Sequence, residues 1–85
     1  WAVVDEPYVR FFDEPELQAL VVGYDRQGSV LVVDAQTNYR ANVKGREDYW
    51  YLLEGEVSTG WVFGAHLKLF VSRDRAENAA TFYER

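Results

Sequence analysis

The chain has 85 residues, which is enough for one domain and too short for two. Its 14 acidic and 9 basic side chains give a formal net charge of -5, which argues against nucleic acid because phosphates require clustered lysine and arginine. The absence of cysteine excludes disulfides and thiolate metal sites, and no apolar run approaches the roughly 20 residues of a membrane span, so we expect no membrane insertion here.

The N-terminal third predicts three strands and an acidic turn. Trp1 to Val4 is a short apolar start that predicts an edge strand, and Tyr8 to Phe12 predicts a second strand from its aromatic and β-branched residues. Asp13 to Glu16 is an acidic turn or loop. Leu17 to Val22 is apolar except for Gln18, and its valine pair favours a strand over a helix.

The middle of the chain predicts a turn, a buried strand and a loop. Asp25 to Gly28 has the polar and glycine composition of a turn. Ser29 to Asp34 is an unbroken β-branched run, which predicts a central strand buried on both faces. Ala35 to Asp48 is polar and contains asparagines and a glycine, so we expect a strand that frays into a long mobile loop.

Three further strands are predicted after this loop. Tyr49 to Leu53 has the strongest strand propensity, and alternation places Trp50 and Leu52 on one side and the other three residues on the opposite side. A short hairpin connection leads to a strand at Gly60 to Phe63. After a tight turn, a closing strand is expected at Leu67 to Val71.

The end of the chain changes in character. Ser72 can cap a helix. The residues that would share one face of this helix are Ala76, Ala79, Ala80 and Tyr83. We therefore expect a barrel over residues 1–71 and a helical tail or linker over residues 72–85. The chain begins at Trp1 and lacks methionine, which suggests a piece of a longer protein.

Five segments recur in an order that resembles a known family. They are Val21 to Gly23, a polar turn ending in Gly28, Val30 to Val33, Trp50 to Leu53, and Thr59 to Leu67. This order is similar to the bacterial SH3-like pattern (SH3b, Src homology 3-type). The resemblance covers Tyr8 to Phe70 and implies an all-β fold, a small SH3-like antiparallel barrel of five or six short strands with a short C-terminal helix or tail.

Two departures from the family concern its ligand. In the relatives that bind proline-rich peptides, a proline follows the Gly-aromatic-hydrophobic triplet and a tyrosine comes three residues later, where this chain has Phe63 and His66. Of the family's opening Leu-Asn-Val-Arg motif, only Val9 and Arg10 are present. The resemblance therefore does not carry polyproline recognition over to this chain.

Catalytic groups are scarce. His66 is the only histidine, and a Ser-His-carboxylate arrangement would need one of Ser29, Ser58 or Ser72 beside it. The resemblance places His66 at an aromatic position that lines the groove or the barrel rim, so we expect no enzyme activity. One histidine without a thiol is too little for a transition-metal site, and no cofactor is expected.

Aromatic and acidic residues are the candidates for binding. Aromatic residues make up 16% of the chain, and exposed rings beside acidic loops would suit a peptide or glycan groove, although the same rings could instead seal the barrel ends. The densest acidic cluster, which could attract a cationic ligand, bind calcium weakly or be a solvated loop, is Asp5, Glu6, Asp13, Glu14 and Glu16. The predicted ligand-binding residues are Tyr8, Glu14, Tyr49, Trp50, Trp61, Phe63 and His66.

The resemblance implies a noncatalytic binding module of a larger bacterial envelope or secreted protein, located outside the cytoplasm. Its expected partner is a peptide, a cell-wall fragment or a neighbouring domain of the parent protein, held in an aromatic and acidic groove. The alternative is a structural spacer or homo-oligomerisation domain without a ligand, in which Phe82 and Tyr83 dock elsewhere. A third hypothesis is an intracellular adaptor for proline-rich peptides.

Overall fold

The structure, a computed structural model, describes residues 1–84. Its strands are β1 (Ala2–Val4), β2 (Tyr8–Phe12), β3 (Val21–Arg26), β4 (Val30–Gln36), β5 (Ala41–Val43), β6 (Arg46–Asp48), β7 (Trp50–Glu54), β8 (Thr59–Phe63) and β9 (Leu67–Leu69). Helix α1 spans Arg73–Ala80, and 3₁₀ turns span Gly64–His66 and Thr81–Glu84. No helix within this part of the chain is long and apolar enough to cross a membrane.

Seven of the strands form one antiparallel sheet in the order β3-β2-β8-β7-β4-β1-β9, and β5 and β6 form a separate two-stranded hairpin. One hydrophobic cluster, here called the main core, consists of Ala2, Val4, Val9, Phe11, Leu31, Tyr51, Leu53, Val62 and Leu67. Strands far apart in the sheet order supply these residues, so the sheet curls around them. The predicted all-β class and small antiparallel barrel with a short C-terminal helix are confirmed, although the sheet has seven strands where five or six are predicted.

Strand β1 is not the edge strand that the sequence predicts. It pairs with β4 on one side and with β9 on the other, and Ala2, Val3 and Val4 are all 0% exposed. Successive side chains of a strand face opposite sides, so both faces of β1 are covered. Helix α1 packs on β1 and β4 and covers the outer face, which places the edges of the sheet at β3 and β9.

Two further strand predictions require correction. Ser29 to Asp34 is not buried on both faces, because Val32 is 37% exposed and Asp34 points to solvent. The sequence also predicts a strand over Leu17 to Val22, but Leu17 to Leu20 are not part of a strand. The backbone N–H of Asp13 donates to the Leu20 carbonyl, and the Asp13 carboxylate accepts from the Leu20 N–H, so residues 13–20 close into a loop.

Over Ala35 to Asp48 the predicted strand is present as the end of β4, but the predicted long loop is wrong because the segment also contains the β5–β6 hairpin. Val43 pairs with Arg46, which leaves a two-residue turn. Lys44 and Gly45 have φ values of 52° and 83°, the left-handed conformations that a tight hairpin turn requires. The Asn42 side chain accepts from the Gly45 N–H and closes the turn.

The C-terminal segment docks on the barrel through its predicted face. The Ser72 hydroxyl accepts from the Arg75 N–H at the start of α1, and Ala76 is fully buried. Tyr83 lies over Gly28, where a Cβ would come within 3.0 Å of the tyrosine Cβ, and the Tyr83 hydroxyl donates to the Asp5 carboxylate. Arg85, the last residue of the predicted tail, lies outside the described residues. Strand β9 ends at Leu69, two residues before the predicted end of the closing strand.

Candidate ligand-binding cleft

A second cluster, here called the aromatic cluster, consists of Phe12, Trp50 and Phe63. Trp50 on β7 pairs with Phe63 on β8, and Phe12 lies on β2, the next strand of the sheet. The Trp50 ring centroid is 5.8 Å from that of Phe12 and 5.4 Å from that of Phe63, both in edge-to-face geometry. The hydroxyl of the buried Thr37 also accepts from the backbone N–H of Trp50 at 3.1 Å, which fixes the strand that carries this ring. The rings therefore form a rigid surface.

A cleft opens above this cluster where two neighbouring strands part. Strand β2 pairs with β8 only at Phe12, opposite Trp61. Towards the start of β2 the two strands separate, with Tyr8 and Arg10 on one side and Phe63 and the 3₁₀ turn that follows it on the other. The cleft has a volume of about 380 Å³, within the usual range of ligand pockets.

Several elements form the walls of this cleft. Its lining residues are Glu6, Pro7, Tyr8, Val9, Arg10, Phe12, Leu17, Lys44, Trp50, Phe63 and His66. The exposed positions of β2 supply Tyr8 and Arg10, because strand alternation turns Val9 and Phe11 into the main core. Leu17 comes from the loop of residues 13–20, and Lys44 comes from the hairpin tip.

The apolar side of the β5–β6 hairpin packs against the aromatic cluster. Ala41 and Val43 are half-buried and pack on this cluster. Arg46 Nη2 donates to the Ala65 carbonyl at 2.7 Å, which ties the hairpin to the 3₁₀ turn that carries His66. These contacts fix the strand pair whose turn brings Lys44 to the cleft.

Of the charged side chains of residues 1–83 that line the cleft, the carboxylate has ion-pair partners and two cations have none. Glu6 Oε1 lies 3.4 Å from His66 Nδ1 and 3.5 Å from Arg46 Nη1. Arg10 and Lys44 make no side-chain hydrogen bond or ion pair with any residue in the range 1–83. The carboxylate at the cleft is therefore paired, whereas the two cations are not.

The structure brings four of the seven predicted site residues together in the cleft: Tyr8, Trp50, Phe63 and His66. The other three lie outside its lining. Glu14 is exposed in the acidic loop. Tyr49 packs against the main core, with the Arg40 guanidinium 5.9 Å from its ring centroid. Trp61 is half-buried and packs on the aromatic cluster outside the cleft lining.

Sequence reasoning missed several lining residues, notably Glu6, Arg10, Leu17 and Lys44. Alternation along the strand that carries Tyr8 places Arg10 on the same face and would have identified it. Lys44 depends on the β5–β6 hairpin, whose signal is a Lys-Gly pair between two very short strands. Glu6 and Leu17 come from connections between strands, where no periodicity indicates a direction.

A Ser-His-carboxylate arrangement is not formed. The Ser29 hydroxyl donates to Asp25 and the Ser58 hydroxyl donates to the Tyr24 carbonyl, while Ser72 caps α1. His66 instead faces Glu6 and lies edge-on to Phe63, with 6.0 Å between the ring centroids. Among the side chains of residues 1–83, no group of three or more His, Cys, Asp or Glu is arranged to hold a metal ion.

Two tyrosines with raised pKa values lie outside the cleft. The hydrogen bond to Asp5, together with burial, raises the pKa of Tyr83 from its ordinary value of 10.0 to about 12. Burial, followed by the nearby Asp48 charge, raises the pKa of Tyr51. Strongly shifted groups often mark active sites, but these two belong to the docking of the helix and to the main core.

Comparison with known proteins gave one family. A family model described as Treponema TP0069 SH3-like domain matches residues 2–83. The match extends beyond Tyr8 to Phe70 at both ends, so that it includes β1 and α1. No curated protein and no solved structure matched the chain. The resemblance to bacterial SH3-like domains is confirmed over nearly the whole sequence.

Proposed function

The chain belongs to the Treponema TP0069 SH3-like domain family, and from this premise we propose that it is a module that binds an extended peptide in the cleft above the aromatic cluster. SH3-like domains are generally noncatalytic binding modules. The observation that carries the proposal is the cleft of about 380 Å³ with a floor of packed aromatic rings. The floor rings themselves are nearly buried, with Trp50 1% and Phe63 3% exposed, and Tyr8 and Leu17 above them supply the accessible apolar contact area.

The backbone of β2 supports a peptide over a glycan. Because β2 pairs with β8 only at Phe12, the edge of Tyr8 to Phe11 that faces away from β3 has no strand partner within residues 1–84. Backbone N–H and C=O groups at such an edge can pair with an extended peptide, as in β-strand addition. Side chains of the same peptide would then lie over Trp50 and Phe63.

Tyr8 supports the position of the site. Its side chain lines the cleft and is 58% exposed, and exposed aromatic residues are enriched among those that contribute most to binding. Tyr39 is similarly exposed, at 52%, but lies outside the cleft. The two tyrosines therefore offer a matched pair for testing the site.

The test uses acetylated, amidated octapeptides of serine and glycine that carry one tryptophan and, at one other position, Glu, Gln or Lys. For the octapeptides that bind the unmodified protein, we expect Tyr8→Ala to lower the affinity about fivefold or more. Tyr39→Ala should leave the affinity within about twofold of the unmodified protein. Equal losses in both variants, or no binding by any octapeptide, would contradict the proposal.

A second candidate function is the structural spacer or homo-oligomerisation domain. The edge strand β3 favours it, because Val22 and Tyr24 are more than half exposed there, and Phe82 is 67% exposed. Tyr83, in contrast, is engaged with Asp5 of its own domain. Sedimentation velocity distinguishes the two functions: a monomer that binds octapeptides supports the binding module, and a dimer that binds none supports the spacer.

The parent protein is a separate proposal. We propose that it is an envelope or secreted bacterial protein, and cell-wall fragments are the other ligand class to test in the same assay. This proposal comes from the family resemblance, and fractionation of cells that make the full-length protein is its test.

A further inference from the structure

We propose that the cleft selects peptides carrying an aspartate or glutamate side chain beside an apolar residue, with the carboxylate held between Arg10 and Lys44. This inference rests on the proposed function and specifies its ligand. It differs from the acidic groove expected from the sequence, since a cationic cleft attracts the opposite charge.

The unpaired state of these two cations is the first argument. The basic side chains engaged elsewhere include Arg40 over Tyr49, Arg46 with Glu6, Lys68 with Asp5, and Arg73 with Glu77. Among residues 1–83, Arg26 and Arg75 also lack such a partner, but they lie outside the cleft lining. Arg10 and Lys44 have none within this range either, although the chain contains 14 carboxylate side chains. Both line one cleft, where a ligand carboxylate would be their partner.

The state of Glu6 is the second argument. Among residues 1–83 it is the one carboxylate that lines the cleft, and it already faces Arg46 and His66. Glu6 is therefore balanced locally, and the remaining charge at the cleft is positive. Because the rest of the chain is acidic, this cleft is complementary to a ligand that most of the surface would repel.

The placement of the cations is the third argument. Arg10 projects from β2, whose register is fixed by its pairing with β3, and Lys44 projects from a two-residue turn. The two charges thus come from two different walls above the apolar floor. A peptide residue over Trp50 and Phe63 would place a neighbouring carboxylate within reach of both walls.

The test compares the octapeptides with Glu, Gln and Lys on matched variants. One variant is Arg10→Gln with Lys44→Gln, and the control is Lys68→Gln with Arg75→Gln, which removes the same charge outside the cleft lining. We expect the Glu peptides to bind the unmodified protein and the control about fivefold more tightly than the Gln peptides at 50 mM salt, as expected for exposed ion pairs. The preference should disappear in the Arg10/Lys44 variant, and it should fall below about twofold at 500 mM salt because of screening.

Other binding results would overturn the carboxylate inference, the proposed function or both. Equal binding of Glu and Gln peptides, with a loss in Tyr8→Ala, overturns the carboxylate inference and leaves the proposed function standing. Tighter binding of the Lys peptides also overturns it. No binding by any octapeptide overturns both proposals. A Gln peptide with a free C-terminal carboxylate that binds more tightly than the amidated Glu peptides would overturn the assignment to a side-chain carboxylate.

A second copy of the chain is the competing occupant, because its exposed loop of residues 13–20 is acidic. Sedimentation velocity in the absence and presence of the Glu peptides tests it. A monomer under both conditions supports a separate partner. A dimer that the Glu peptides dissociate would assign the cleft to the acidic loop of a second copy and overturn the assignment to a separate peptide.

Discussion

The main core and the aromatic cluster share strands β2, β7 and β8 but differ in how they are covered. The curled sheet encloses the main core, and α1 covers the outer face of β1 beside it. The aromatic cluster is covered by half-buried residues such as Ala41 and Val43 and borders the cleft. Along β7, Trp50 belongs to one region and Tyr51 and Leu53 to the other. Strand alternation thus assigns neighbouring residues of one strand to the main core and to the aromatic cluster that borders the cleft.

The largest expected effect comes from a leucine of the main core. Leu53 is 0% exposed in the main core, so Leu53→Ala should lower the free energy of unfolding by about 2–5 kcal/mol through lost burial and a cavity. In a domain of this size, such a loss removes most of the stability. Urea unfolding followed by tryptophan fluorescence measures the change.

Leu17→Ala is the matched substitution at the cleft. Leu17 is 46% exposed, so its loss should change the free energy of unfolding by no more than about 0.5 kcal/mol. The same variant should weaken octapeptide binding, because Leu17 supplies apolar contact area. If Leu17→Ala destabilised the protein as much as Leu53→Ala does, the division between the two regions would be wrong.

Tyr83 is expected to contribute to stability and not to ligand binding. Its hydroxyl anchors the C-terminal segment to Asp5, so Tyr83→Phe should lower the free energy of unfolding by about 1 kcal/mol. Octapeptide affinity should be unchanged, because Tyr83 does not line the cleft. Denaturation and binding measured on the same preparation check both expectations.

The effect of Tyr83 also depends on pH. Its pKa is raised in the folded state, from 10.0 to about 12, so the protonated hydroxyl stabilises the fold fully below pH 10. This stabilisation is lost as the pH rises towards 12. The difference in stability between the unmodified protein and Tyr83→Phe should therefore be constant from pH 7 to 9 and shrink above pH 10. A difference that grows with pH would contradict the hydrogen bond to Asp5.

The architecture was largely predictable from the sequence because it depends on local patterns. Alternation in Tyr49 to Leu53 assigned Trp50 correctly to the side opposite Tyr51, and the serine at position 72 predicted the start of α1. The covering of β1 was not predictable in this way, because it depends on a helix at the other end of the chain. A three-residue apolar run contains no information about what packs on its second face.

The cleft was only partly predictable for a related reason. Tyr8, Trp50, Phe63 and His66 were found because aromatic residues and a family position indicated them. The charges were misjudged because the acidic residues form a cluster in sequence, whereas the cations at the cleft come from β2 and a hairpin tip 34 positions further along the chain. Their juxtaposition is a property of the tertiary structure.

The binding of a peptide above the aromatic cluster is tested most directly by the three tryptophan indole N–H signals in a ¹⁵N-labelled protein. Trp50 lines the cleft, whereas the Trp1 ring lies 5.5 Å from the Arg73 guanidinium at α1. Titration with the unlabelled Glu octapeptides should shift the Trp50 signal in a saturable manner and leave the Trp1 signal in place. A saturable shift of the Trp1 signal without any shift of the Trp50 signal would contradict peptide binding above the aromatic cluster.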